Sequence, residues 1–266
     1  MPKLSNSLKT ELQDVAHALA DAARPIALQY FRNPDQGLEN KLERGFDPVT
    51  VADKSIEREM RRILAARRPD DGIMGEEYAD TVGTTGLTWV LDPIDGTRSF
   101  ISGTPTWGVL IGLNAGAGPV LGIVDQPFTA ERFWGGFGQA SWTHLDQTHD
   151  IAVRECATLS NAVLFTTMPE VGTIAEAAAF QRVSYECKLT RYGTDCYAYA
   201  LLAAGNIDLV IEAGLNAFDI QGPMGVVQNA GGIVTDWQGG PAHQGGQVIA
   251  AGDPRTHEQA LVLLNS

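Results

Sequence analysis

The chain has 266 residues, 44% hydrophobic and 19% charged, which is enough apolar material for a sizeable core in one large domain or two fused halves. Its 32 acidic against 19 basic residues give a formal charge of -13; such a surface repels nucleic acid and anionic membranes, so neither is expected as a partner. A small anion can still bind, because a divalent cation reverses the local sign. The opening MPKLSNSLKTELQD has no apolar h-region and no long apolar run follows, so the expectation is a soluble cytoplasmic protein. Cys156, Cys187 and Cys196 are an odd set without metal-ligand pairing and read as idle thiols.

From Leu8 onward, Leu12, Val15, Leu19, Ala22, Ile26 and Tyr30 recur at three- and four-residue steps, predicting an amphipathic helix that ends near Asn33-Pro34. A second helix is predicted after Thr50, stopped by Pro69. Ile56, Met60, Ile63 and Leu64 share its apolar face, and Glu57, Arg58, Glu59, Arg61 and Arg62 its polar one. Thr88-Trp89-Val90-Leu91 reads as a buried strand running into Asp92-Pro93-Ile94-Asp95-Gly96-Thr97, where Thr97 can cap a helical turn. Residues 107–114 and 120–126 form a hairpin around Gly116-Ala117-Gly118-Pro119, and 131–138 can add a strand. After about residue 145 strands and helices alternate: strand at 162–167, helix at 175–182, helix at 196–204 after Gly193-Thr194-Asp195. A strand at 209–211 leads to Glu212, a helix at 219–230 is closed by Gly231-Gly232, and a strand follows at 247–251. The GGPAHQGG stretch lacks the strand, order and helix of a nucleotide fingerprint and reads as a turn.

The segment richest in chemistry is WVLDPIDGTRSF, residues 89–100. Asp92 and Asp95 are three residues apart with Pro93 stiffening the turn, so both carboxylates and the Ile94 carbonyl can be aimed into one small volume. Carboxylates that close repel unless a cation lies between them, and magnesium favours hard oxygen ligands. Gly96-Thr97 permits close backbone approach, and helix-start amides can receive a phosphate. Alone, this pattern would be a turn followed by a capped helix. Its weight comes from further acidic sites at element edges: Asp53 in DPVTVADKSIE, Glu76 and Glu77 in GEE, and Asp219 in AFDIQGPM.

On these motifs the sequence resembles the inositol monophosphatase superfamily over nearly its whole length. The resemblance implies a five-layer αβαβα sandwich, α+β in its first half and α/β in its second. Residues 1–145 would carry most metal ligands and 146–266 the substrate-recognition residues and the last ligand, in one compact unit. It also implies two or three Mg2+ ions held by Glu76, Asp92, the Ile94 carbonyl, Asp95 and Asp219, with Asp53 acting through water or a further ion. A water positioned by Thr97 and Asp53 would attack phosphorus in line, with no phospho-enzyme, and Glu76 belongs to the same catalytic group. Gly96 and Thr97 would hold phosphate oxygens, and Lys41 in ENKLERGFDP would be a basic residue near them. Glu77 reads as a lesser candidate, with a solvated carboxylate as its simpler role. A homodimer is implied as well.

Farther along, RYGTDCYAYALLAAGNIDLVIEAGL followed by AFDIQGP is similar to the bacterial and plant histidinol-phosphate phosphatases. On that likeness Gly193, Thr194, Asp195 and Glu212 line the organic half of the substrate, where carboxylates suit an ammonium group. Asp195 could also cap the helix that follows it, and Glu212 could be a solvated strand end. Tyr197 and Tyr199 read as packing residues, Cys196 as non-catalytic, and the five histidines as surface or loop residues. The expected activity is hydrolysis of a small phosphorylated metabolite, L-histidinol phosphate first. An inositol-1-monophosphatase or related small-metabolite phosphatase is the alternative. A bisphosphate substrate would call for more basic residues. A non-catalytic metal-binding scaffold would follow if a ligand were missing, and every expected carboxylate is present.

Overall fold

The structure, a computed structural model, describes residues 4–33, 39–40 and 48–266. Helix α1 spans Asn6–Tyr30, and the Ser5 hydroxyl accepts the Leu8 N–H at its start. Its fully buried line is Leu12, Val15, Ala16, Leu19, Ala20, Ala23 and Ala27, so Ala22, Ile26 and Tyr30 fall at the margin of the stripe. The alanines let α1 lie close along α2, Val51–Arg67, which buries Ile56, Met60 and Leu64 as predicted. Glu57 departs from the polar face assigned to it: it is fully buried, for a reason that belongs to the site.

After the two-residue antiparallel pair β1 (Glu39–Asn40) and β2 (Pro48–Val49) comes a seven-stranded sheet. Its strands are β3 (Gly72–Gly75), β4 (Thr88–Asp95), β5 (Gly108–Asn114), β6 (Pro119–Gln126), β7 (Glu131–Gly136), β8 (Gln139–His144) and β9 (Gln147–Asp150), side by side in chain order. Only the β3–β4 pair is parallel. The short helix α3, Thr97–Ser102, leaves the end of β4. The second sheet holds β10 (Val163–Thr166), β11 (Leu189–Tyr192), β12 (Leu209–Leu215), β13 (Ile233–Thr235) and β14 (Gly246–Ala251), in the order β11-β10-β12-β14-β13. Helices α4 (Ile174–Glu186), α5 (Tyr197–Ala203), α6 (Ala217–Asn229) and α7 (Pro254–Leu264) complete the chain.

Packing sorts these elements into layers. The α1–α2 pair covers one face of the large sheet, α5 and α6 fill the space between the sheets, and α4 with α7 covers the outer face of the small sheet. This is the αβαβα sandwich that the sequence led us to expect. With helices on both of its faces, β4 is buried from Trp89 to Ile94, which is why it reads as an apolar run rather than an alternation.

Helix α6, from the second half of the chain, presses its backbone onto β5, β6 and β7 of the first. Glycine meets glycine there: a Cβ on Gly122 would overlap the Gly222 carbonyl oxygen. That close approach sets the position of Asp219 at the start of α6. Two histidines also depart from the surface reading. His257 on α7 is buried within hydrogen-bond distance of the Thr235 hydroxyl, 2.8 Å, and His17 on α1 sits half-buried beside Arg132.

Candidate active site

Residues 92 and 95 have opposite parity, so a regular strand would send their side chains to opposite faces. The ladder between β4 and β5 prevents this. It pairs Asp92 with Leu110 and then resumes at Asp95 with Gly108, so β4 carries one extra residue. Pro93, with no N–H to donate, lies inside the slip. The bulge restores a common side, and Asp92, Asp95 and Asp219 bring carboxylate oxygens within 4.8 Å of one another.

A main-chain amide orients each of these groups through one oxygen. Ile94 N–H donates to Asp92 Oδ1 at 3.1 Å, Cys196 N–H to Asp95 Oδ2 at 2.8 Å, and Asn216 N–H to Asp219 Oδ2 at 2.6 Å. Asp53, at the first turn of α2, accepts the Thr50 amide at 2.9 Å and the Thr50 hydroxyl at 2.5 Å, both on Oδ2. The Asp95 bond joins the two halves of the chain, because Cys196 precedes α5.

Burial, reinforced by Glu76, Asp95, Asp219 and Asp53, pushes the Asp92 carboxyl well above the usual carboxylate range. Asp95 is raised by burial and then by Asp219 and Asp195. Burial lifts Asp53 to about 6. The largest charge effects on Asp92 are all repulsive, and oxygen is the common donor. A hard divalent cation fits such a set.

Glu76 follows β3, and the shape of its loop depends on Glu57. The Glu57 carboxylate occupies the space that a Cβ on Gly75 would need, accepts the Glu77 N–H at 2.7 Å and is held by Arg61 at 2.8 Å. Helical periodicity gave no reason to bury Glu57. The spacing of Asp53, Glu57 and Arg61 by four residues, one face of a helix, was the available signal.

Thr97 is not a cap. Gly96 occupies the cap position of α3 in the left-handed conformation, φ 78° and ψ 41°, and Thr97 is the first helical residue. Its hydroxyl donates to the Ile94 carbonyl at 3.1 Å. Gly96 is required twice, since a Cβ there would also come within 2.8 Å of the Asp195 carboxyl carbon.

A cleft of about 840 Å³ runs over these residues and is lined by Glu76, Asp95, Gly96, Thr97 and Asp219. Gly193, Asp195 and Glu212 line it too. Asp53, Asp92 and Ile94 are buried, and none of the three forms the cleft wall. Thr194 is not part of the wall either, and its buried hydroxyl has no hydrogen-bond partner among the described residues. Lys41 lies outside the described residues.

Asp195 does not cap α5. Its backbone is left-handed, φ 44°, and its Oδ2 accepts the Ser99 and Thr106 hydroxyls, each at 2.6 Å. Nor is Glu212 a solvated strand end. It is 7% exposed, and its carboxylate accepts the Thr167 amide at 2.7 Å, the Thr167 hydroxyl at 2.9 Å and the Thr166 hydroxyl at 3.2 Å. Burial pushes it up to about 7, against the pull of those donors.

The inositol monophosphatase family model matches residues 8–266. The chloroplastic bifunctional phosphatase IMPL2 of Arabidopsis thaliana is 39% identical over 279 residues, which cover 98% of this chain and 79% of that one. A histidinol-phosphatase of Mycobacterium tuberculosis is 31% identical, with 95% of this chain and 97% of the relative covered. Among solved structures, an inositol monophosphatase from Zymomonas mobilis superposes with a TM-score of 0.85 at 39% identity, covering 99% of this chain and all of the other. Fold, acidic cluster and likeness therefore agree that this chain belongs to the inositol monophosphatase family of metal-dependent phosphoric monoester hydrolases.

Proposed function

We propose that this protein is a magnesium-dependent histidinol-phosphate phosphatase, releasing L-histidinol and phosphate in histidine biosynthesis. The observation that carries this reading is that one cleft holds Asp95 and Asp219 together with two further carboxylates, Asp195 and Glu212. An acidic organic end favours a substrate that carries an ammonium group over a neutral polyol.

In this reading Glu76, Asp92, the Ile94 carbonyl, Asp95 and Asp219 hold two or three Mg2+ ions. When bound, the ions supply Lewis acidity and offset the charge of the phosphate. Thr97 has committed its proton to Ile94, so its oxygen can accept a hydrogen bond from the attacking water. Asp53 has both of its described hydrogen bonds on Oδ2, which leaves Oδ1 to orient the same water. Amides at the left-handed turn of Gly96 and Thr97 meet phosphate oxygens, and Lys41 adds positive charge near them. Gly193, Asp195 and Glu212 surround the organic half, and Thr194 belongs to the turn between the first two.

Hydrolysis of myo-inositol 1-phosphate is the second reading, favoured by the similarity to the Zymomonas mobilis enzyme. The carboxylate cluster would serve both substrates. A phosphate-release panel separates them: kcat/KM should be higher for L-histidinol phosphate, and faster hydrolysis of the inositol ester would overturn the substrate while leaving the phosphatase.

We also propose that residues 1–145 and 146–266 work as halves of one unit, supported by the Cys196–Asp95 bond and the seating of α6. A homodimer rests on the family likeness. A cytoplasmic location rests on the sequence; among the described residues no helix is long and apolar enough to cross a membrane.

A further inference from the structure

Burying a carboxylate is costly unless donors meet it, and the two donors that Glu57 meets, the Glu77 amide and Arg61, lead to one segment. That segment is the loop that leaves β3 with Glu76 on it and closes at the Ile73–Thr81 pair, whose two amide bonds are 2.9 and 2.8 Å. Between those ends α2 ties it down. Glu57 Oε2 accepts the Glu77 N–H at 2.7 Å. Arg61 donates to Glu57 Oε1 at 2.8 Å, to the Tyr78 carbonyl at 3.1 Å and to the Thr81 hydroxyl at 3.4 Å. The Tyr78 hydroxyl returns to the Lys54 carbonyl at 3.1 Å.

Gly75 shows that the approach is built in. It is not among the glycines with positive φ, so its backbone would accept a side chain, yet a Cβ there would overlap the Glu57 carboxylate. Contact with Glu57, rather than turn geometry, requires the glycine. Asp53 lies one helical turn before Glu57 on α2, while Glu76, beside the tethered Glu77, lines the cleft. Helix α2 therefore carries one carboxylate of the site and suspends the segment that carries another.

We infer that Glu57 and Arg61 are a positioning pair, which fixes the Glu76 carboxylate relative to Asp53 and so sets the affinity of the site for a divalent cation. The inference rests on Glu76 as a metal ligand, as proposed above. Glu57 is fully buried and is not part of the cleft wall, so it acts through Glu76 and not as a ligand itself.

Both Glu57 oxygens are acceptors. Glutamine offers one acceptor oxygen, so in Glu57→Gln either the Glu77 amide or Arg61 faces an NH2 group. Arg61→Lys keeps the charge but replaces a fork that reaches three acceptors with a single ammonium. The measurements are Mg2+ binding to the metal-free protein by calorimetry, the Mg2+ concentration for half-maximal phosphate release, and Tm. They are made on wild type, on both variants, on Glu76→Gln, and on Glu76→Gln combined with each of the two. Glu57→Gln should weaken Mg2+ binding about 10- to 100-fold, the range for the outer partners of a metal ligand. Arg61→Lys should weaken it in the same direction at unchanged net charge, and it carries the test if Glu57→Gln does not fold. In the Glu76→Gln background either change should add little, because the ligand that the pair positions is gone. A lowered Tm with Mg2+ affinity unchanged in both variants would overturn the inference and return the pair to the scaffold. Equal weakening with and without Glu76 would also overturn it, since the pair would then act by its charges alone. Unchanged Mg2+ binding in Glu76→Gln would refute the ligand reading of Glu76, and this inference with it.

Discussion

The aspartates of the scaffold and those of the cleft are the same residue in similar burial, yet they are treated oppositely. Asp125 is fully buried between Arg24 and Arg132, with N–O distances of 2.7 and 2.6 Å. Asp208 is held by Arg154 at 2.6 Å and Asp253 by Arg255 at 2.6 Å. Burial acts to raise Asp71, but Arg68, Thr85 and Trp89 outweigh it and leave its carboxyl below the usual range. In the cleft, Asp92 and Asp95 have main-chain amides for orientation and other carboxylates for neighbours, and they are pushed upward. Protein donors complete the scaffold aspartates. The cleft aspartates await a charge from outside, which is what a binding site for a cation requires.

The sharpest way to break this contrast is to withhold the cation. Chelation with EDTA should abolish phosphate release and added magnesium should restore it; full turnover in metal-free buffer would end the metal reading. Next in size is Asp92→Asn, expected to cost at least ~10²-fold in kcat. In metal-free buffer the same variant should melt at or above the wild-type temperature, since it removes a buried repulsion. A lower Tm there would mean that Asp92 belongs with the scaffold.

Asp125→Asn tests the other side. It leaves two arginines around a neutral group and should destabilise by about 3 kcal/mol, lowering Tm by roughly 6–12 °C. Turnover per folded molecule should stay near wild type, and a specific catalytic defect would blur the division between the regions.

Glu212→Gln falls between the two classes, because its carboxylate is both tied by hydroxyls and placed in the cleft. Relative kcat/KM for histidinol phosphate over inositol 1-phosphate should drop by ~1.5–3 kcal/mol, the range for a charge-assisted hydrogen bond. Equal slowing of both substrates would reduce Glu212 to a support for the Thr166–Thr167 segment.

Smallest is Asp253→Ala at the cap of α7, about 1 kcal/mol by analogy with other caps. Arg255 holds the Asp253 carboxyl well below the ordinary range. Its charge therefore contributes fully above the unfolded value of about 3.9 and is lost as pH falls through the lower folded one. The Tm gap between wild type and variant should be flat from neutral pH down to about 3.9 and shrink as pH falls further toward the lower folded value. A gap unchanged in acid would show that Asp253 acts through capping alone.

Strong periodicity made α1, α2, the β5–β6 hairpin and the β4 run legible, because one buried face repeats at the step of the element. The strands β8, β9, β11 and β13 passed unread. All four residues of β9 are exposed, and β11 is mostly so, which leaves no alternation to find. Helix α7 did carry a start signal in Asp253-Pro254, a cap followed by proline at the first turn, which a reading by apolar period passes over.

In the site, the sequence determined which residues bring charge: Asp53, Glu76, Asp92, Asp95 and Asp219 stand out because motif spacing and residue type are local properties of a chain. Geometry was decided in three dimensions. The β4 bulge turned Asp92 and Asp95 to one side, α6 brought Asp219 to them on a glycine contact, and the amide of Cys196 reached across to Asp95. Glu57 on a nominally polar face acquires its role only from what packs against it. Partners distant in the chain set the burial and hydrogen bonding of a polar atom, and no window along the sequence contains them.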